Sequence, residues 1–133
     1  MAGHETHYIL PRPSFERPVK LLIVVAPYYK DIADDLVAGA KAEIEAVGGR
    51  WDLIEVPGAL EIPTAIGIAE RMANFDGYVA LGCIIRGETY HFELVANESG
   101  SAITQLALDH GLPIANAILT TENEAQAIAR QHD

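Results

Sequence analysis

The sequence predicts an α/β fold in which a parallel four-stranded sheet lies between two layers of helices. Three observations carry that reading. Of four short strand-like runs, Val19 to Ala26 and Gly77 to Ile85 are almost continuously apolar, the composition of strands buried on both faces. Between them lie longer segments whose apolar residues recur at helical spacing. The links are short and marked by Gly or Pro, so each strand hands over to a helix and each helix to a parallel strand.

Met1 to Pro18 reads as an arm, rich in Pro, His and charge, with Pro11 and Pro13 breaking any helix. His7-Tyr8-Ile9-Leu10 is a candidate strand for a neighbouring subunit's sheet, having nothing nearby in sequence to pair with. His4 and His7 read as solvated residues, because no acidic or Cys partner stands at metal-ligand spacing.

Residues 19–133 read as one domain. Val19 to Ala26 is the first strand, and Pro27-Tyr28-Tyr29-Lys30 is its exit loop. Asp31 is the expected N-cap of a helix carrying Ile32, Leu36, Val37, Ala40, Ile44 and Val47 on one stripe. Gly48-Gly49 closes it. Arg50 to Val56 is the second strand, with Pro57-Gly58 at its exit. Ala59 to Ala73 is a helix that tolerates Pro63 only in its first turn. Gly77 to Ile85 is the third strand. It turns abruptly polar at Arg86-Gly87-Glu88-Thr89 and continues as a helix from Tyr90 to His110, ended by Gly111. Pro113 to Leu119 is the fourth strand. Thr121-Glu122-Asn123-Glu124 has the capping-box pattern and opens a last helix through Ala125, Ile128 and Ala129.

The totals narrow the function. A formal net charge of −10 repels nucleic acid and anionic membranes, so neither is an expected partner. A single cysteine, Cys83, excludes an intrachain disulfide. No apolar run has transmembrane length and no signal peptide is visible, so a cytoplasmic protein is expected.

In parallel α/β sheets, sites lie beyond the carboxyl ends of the strands, where the strand order reverses. For the doubly wound order 2-1-3-4 that point falls between the first and third strands. Their exits are Pro27-Tyr28-Tyr29 and Arg86-Gly87-Glu88-Thr89. At the second exit, Thr89 and the N–H groups of Gly87 to Thr89 form an anion-type junction at a helix N-terminus. Arg86 reads better as a clamp on a carboxylate within the fold. His91 reads equally as a capping histidine or as a general acid/base, since an ordinary pKa near ~6.5 suits proton transfer at neutral pH. Of Tyr28 and Tyr29, one packs inward and the other offers a flat face to a heterocycle. Glu61 can hydrogen-bond ligand hydroxyls or complement the helix dipole. Cys83, flanked by Leu81, Ile84 and Ile85, reads as an inert thiol. Asn97 and Glu98 read as solvated or interfacial. Arg130, by itself, reads as a surface residue.

Four motifs in order carry a resemblance. They are Val56-Pro57-Gly58-Ala59-Leu60-Glu61-Ile62-Pro63, the stretch from Gly82 to Phe92, Asn97-Glu98, and the stretch from Leu119 to Ala127. From about Lys20 to Arg130 the chain resembles the lumazine synthases of riboflavin biosynthesis. The resemblance implies a flavodoxin-like fold assembled as a homopentamer or a multiple of pentamers, with active sites between subunits. It implies condensation of 5-amino-6-ribitylamino-uracil with 3,4-dihydroxy-2-butanone 4-phosphate to give 6,7-dimethyl-8-ribityllumazine, with no metal and no organic cofactor. Riboflavin is a further candidate ligand.

Position by position, the resemblance implies His91 as the proton carrier and Tyr28 as the ring that stacks on the pyrimidine. Gly58, Ala59, Leu60 and Glu61 match the segment that holds the ribityl chain and ring edge. Cys83, Ile84 and Ile85 match the strand end that meets the pyrimidine through its backbone. Gly87, Glu88, Thr89 and Arg130 match the phosphate ligands. Three departures stand out. Pro27 replaces a basic residue found in many members. Asn116 stands where some members place a ring-capping aromatic from the neighbouring subunit, which leaves stacking to Tyr28. The family pattern continues past Asp133 with a lysine-containing turn and a final helix. Two competing readings remain: a flavin- or lumazine-binding oligomeric module with little turnover, and a hydrolase using Cys83 and His91.

Overall fold

The structure is a computed structural model that describes residues 14, 15, 17–85 and 91–121, with backbone alone over 91–94. The arm through residue 13, the junction Arg86–Tyr90 and the last helix with Arg130 lie outside the described residues. Four strands, β1 (Lys20–Val25), β2 (Arg50–Glu55), β3 (Gly77–Ile85) and β4 (Ile114–Thr121), form one sheet. Its order is β2-β1-β3-β4 and all three pairings are parallel. Helices α1 (Lys30–Ala46), α2 (Ile62–Met72) and α3 (His91–His110) supply the crossovers.

The side-chain period of a strand divides β1 between two cores. Leu22, Val24 and Ala26 face α2 and α3, packing with Ile62, Ile66, Val95 and Ile103. Ile23 and Val25 face the opposite way and pack with Ala33 and Ile44 of α1. That alternation makes the molecule three-layered. Each fully buried aliphatic side chain contributes about 1.5–3 kcal/mol relative to exposure. β2 is an edge strand and shows it: Trp51 and Leu53 are half-buried against α1, while their neighbours along the strand are exposed.

Local chemistry sets the element ends, and three differ in substance from the sequence reading. The helix expected from Ala59 opens as a 3-10 turn, Ala59–Glu61, and is α-helical only over Ile62–Met72. The other two differences are at α1 and β4. The N-cap of α1 is Tyr29, not Asp31, which lies within the first turn. Tyr29 makes no side-chain cap bond, and its carbonyl accepts the Ala33 N–H at 2.9 Å. The helix begins at Lys30, which bridges Asp34 one turn on at 3.0 Å, and Asp31 still serves as first-turn acid. Secondly, β4 runs through Thr121, beyond Leu119, because it stays paired with β3 to Ile85. At the other end of α1, the Gly49 N–H bonds to the Ile44 carbonyl and the Gly48 N–H to that of Glu45. Gly48 has φ +76°, so this is a left-handed glycine closure.

Candidate active site

A cavity of about 370 Å³ opens at the carboxyl ends of β1 and β3, the reversal point of the strand order. Its walls come from three exits. The loop after β1 supplies Ala26, Tyr28 and Tyr29; the loop after β2 supplies Pro57 and Gly58; the end of β3 supplies Cys83, Ile84 and Ile85. The 3-10 turn Ala59–Glu61, which leads into α2, adds Ala59, Leu60 and Glu61, and α3 adds Val95.

Parallel register brings these segments together. Val25 pairs with both Glu55 and Leu81, so β1 and β2 run out at the same level while β3 continues to Ile85 and walls the space beyond them. The Ala26 N–H bonds to the Leu81 carbonyl at 3.0 Å, and the Val56 N–H to the Val25 carbonyl at 2.9 Å. The chain beyond Val56 then folds inward: Ala59 is buried and packs in the same core as Val95. Ser99 is buried one turn after Val95 and donates its hydroxyl to the Val95 carbonyl at 2.6 Å, which satisfies its only polar side-chain group locally.

Among the described residues, the cavity is lined by two aromatic rings, Tyr28 and Tyr29, and one acid, Glu61. Tyr28 is 78% exposed, and Tyr29 is half-buried beneath it. Glu61 is exposed on the rim. Cys83 is half-buried, and burial pushes its thiol above the ordinary range. A thiol held protonated is a poor nucleophile, which counts against the hydrolase reading.

A larger depression, about 600 Å³, lies at the opposite end of the sheet, around Arg17, Lys20, Arg50 and Asp76. Its cations are largely engaged. Arg17 pairs with Asp76 at 2.6 Å, and Lys20 pairs with Asp52 at 3.4 Å and lies over the Phe75 ring. It sits at the amino ends of the strands, away from the reversal point.

Comparison with known proteins decides the family. The family described as 6,7-dimethyl-8-ribityllumazine synthase matches residues 18–133. The chain belongs to this lumazine synthase family. It is 52% identical over 130 residues to a 6,7-dimethyl-8-ribityllumazine synthase of Jannaschia sp. (strain CCS1), covering 98% of this chain and 72% of that one. A relative of the same description from Beijerinckia indica subsp. indica is 56% identical over 113 residues, covering 84% of this chain and 62% of the relative. The 6,7-dimethyl-8-ribityllumazine synthase 1 of Rhizobium meliloti (strain 1021) is 52% identical over 119 residues, covering 86% and 78%.

Against the lumazine synthase expectations, the candidates fall into three groups. Tyr28, Gly58, Ala59, Leu60, Glu61, Cys83, Ile84 and Ile85 line one cavity. Asn116 does not. It is exposed on β4, an edge strand, where its Oδ1 accepts the Ile118 N–H at 3.0 Å. Gly87, Glu88, Thr89 and Arg130 lie outside the described residues, as does the side chain of His91. Asn97 and Glu98 are exposed on α3. Sequence reasoning missed Ala26, Pro57 and Val95 as cavity walls. The signal for Val95 was available: it stands four residues after His91 in a predicted helix, hence on the same face.

Among the described residues, no helix is long and apolar enough to cross a membrane.

Proposed function

We infer that this chain condenses 5-amino-6-ribitylamino-uracil with 3,4-dihydroxy-2-butanone 4-phosphate to form 6,7-dimethyl-8-ribityllumazine, releasing phosphate and water. The observation that carries this reading is the cavity where the β1, β2 and β3 exits meet. There an exposed aromatic face, an acid and a strand end stand around one space.

In this reading Tyr28 stacks on the pyrimidine, while Gly58 to Glu61 hold the ribityl chain. The backbone of Cys83 to Ile85 reads the pyrimidine edge. Gly87, Glu88, Thr89 and Arg130 take the phosphate. His91 carries protons; its support is that it lies on α3 one turn before Val95, which lines the cavity, so spacing puts both positions on the same helix face. The amine adds to the ketone and water leaves, giving an imine. A proton leaves carbon as phosphate departs, the enone tautomerises, and the second amine closes the ring with loss of water. One imidazole can serve these transfers in turn. Holding two substrates together supplies much of the acceleration, since proximity is worth up to about 7–11 kcal/mol.

The same reading makes the active unit a homopentamer, or several, with Asn116 reaching a neighbouring subunit's site from the exposed edge strand β4. It treats residues 1–18 as an arm and 19–133 as one domain. Arg17, near the end of that arm, is held to the domain by Asp76.

The test is absorbance-monitored formation of the lumazine from the two purified substrates. Product above the uncatalysed background supports the reading. No product, together with tight riboflavin binding, would replace it with the binding-module reading.

A further inference from the structure

Four glycines in this fold have a backbone or packing reason, Gly39, Gly67, Gly82 and Gly100 have neither, and Gly58 is distinguished by the one side chain that lies against it. Gly48 and Gly111 have positive φ. At Gly49 and Gly77, a Cβ would press on backbone carbonyls and packed side chains at 3.0 to 3.2 Å. Gly58 meets neither condition. Its φ of −157° and ψ of 173° are extended backbone open to any residue. Among the described residues, a Cβ there would meet one atom within 4 Å, Oε2 of Glu61 at 3.1 Å.

The turn itself creates this proximity. The Glu61 N–H donates to the Gly58 carbonyl at 3.1 Å, closing the 3-10 turn and bringing position 61 back over position 58. The Glu61 carboxylate then lies across the bare Cα of Gly58, and both residues line the cavity. A carboxylate at the end of a flexible side chain yields before the backbone does. A methyl group at position 58 therefore moves the carboxylate and leaves the turn intact.

We propose that Gly58 is a positioning residue for Glu61: the absence of a side chain at 58 holds the space in which the Glu61 carboxylate folds back to face the ribityl-bearing substrate. Its kinetic readout rests on the reaction proposed above. The chemistry recognised is a polyol chain, whose hydroxyls donate to a carboxylate at fixed distance.

The experiment is a double-mutant cycle in the full chain, with Gly58→Ala, Glu61→Ala and the pair, read by steady-state kinetics for each substrate. Gly58→Ala should raise KM for the ribitylamino-uracil about tenfold, the scale of one displaced charge-assisted hydrogen bond. The change in kcat should stay below about threefold, and KM for the butanone phosphate should move by less than about twofold. In the Glu61→Ala background, Gly58→Ala should cost less than about twofold more. An equal penalty in both backgrounds would overturn the proposal, because Gly58 would then act directly on the ligand. The unliganded protein gives an independent readout, the 13Cδ resonance of Glu61. It should shift between wild type and Gly58→Ala, and an unchanged resonance would overturn the proposal. If the wild type shows no turnover, the proposed reaction fails, and this resonance still decides the role of Gly58.

Discussion

The rings of Tyr28 and Tyr29 meet edge to face, with centroids 5.0 Å apart and planes at 71°. Two adjacent residues on a strand exit thus divide the work. Tyr29 caps α1 and is half-buried, and it presents Tyr28 with an aromatic contact of a kind worth about 0.5–1.5 kcal/mol. Tyr28 keeps an open face.

Tyr28→Ala should therefore weaken binding of the pyrimidine substrate or of riboflavin by about 1–3 kcal/mol, roughly 5- to 150-fold, and Tyr28→Trp should retain it. Calorimetric titration with riboflavin measures both. Equal affinity in Tyr28→Ala would remove stacking from the account.

His91→Ala should slow turnover by about 10²- to 10⁴-fold and leave it above the uncatalysed rate. Proton transfer is then one contribution and the pairing of substrates another. Single-turnover rates with both substrates saturating separate the two. Complete loss of turnover with intact binding would count against the proximity argument.

Ile66 of α2 is fully buried among Leu22, Tyr78 and Ile103, in the core beneath the cavity. Ile66→Ala should cost about 2–5 kcal/mol, read as a lower urea midpoint at unchanged slope. A loss under about 1 kcal/mol would mean that the core collapses around the gap.

Asp76 contributes to the acid limb of stability. Its carboxylate accepts hydrogen bonds from Arg17 and from the Lys20 N–H at 2.8 Å, and the Arg17 contact is the main reason its carboxyl is held below the usual carboxylate range. A depressed folded pKa means that the contribution is complete above the unfolded pKa, near ~3.9, and fades as pH falls through the folded value. Asp76→Asn should lower the urea midpoint at pH 7. The gap to wild type should shrink as pH falls below the unfolded value of ~3.9. A gap independent of pH would show that the loss comes from neutral hydrogen bonding alone.

Burial also slows Cys83 chemistry. Alkylation requires thiolate, and the thiol is pushed up from its ordinary pKa by desolvation. Its rate with iodoacetamide should trail that of a free thiol at pH 7 and keep rising with pH through the ordinary range. A fast reaction at pH 7 would revive the nucleophile reading.

Much of this protein was decided by patterns short enough to read along the chain. The apolar run of β1, the helical stripe from Ile32 to Ile44 and the Gly48-Gly49 stop each depend on neighbours a few residues away. So does the alternation that leads to a parallel sheet, and with it the place where the strand order reverses. The resemblance carried by the segments around Gly58 and Cys83 named the family before any geometry was known.

Tertiary structure decided what local patterns cannot carry. Tyr28, Glu61 and Cys83 stand far apart in sequence, and only the parallel register, which ends β1 and β2 together and carries β3 past them, makes them walls of one cavity. Val95 joined them because α3 packs on the 3-10 turn, whereas Asn116 stayed out because its register sets it beside Ala80, short of the Cys83 to Ile85 end that lines the cavity. The cap of α1 moved to Tyr29 although Asp31 has the better capping side chain. Periodicity reports which face of an element is buried. The register between elements fixes which faces meet, and that register is set by hydrogen bonds between strands distant in sequence.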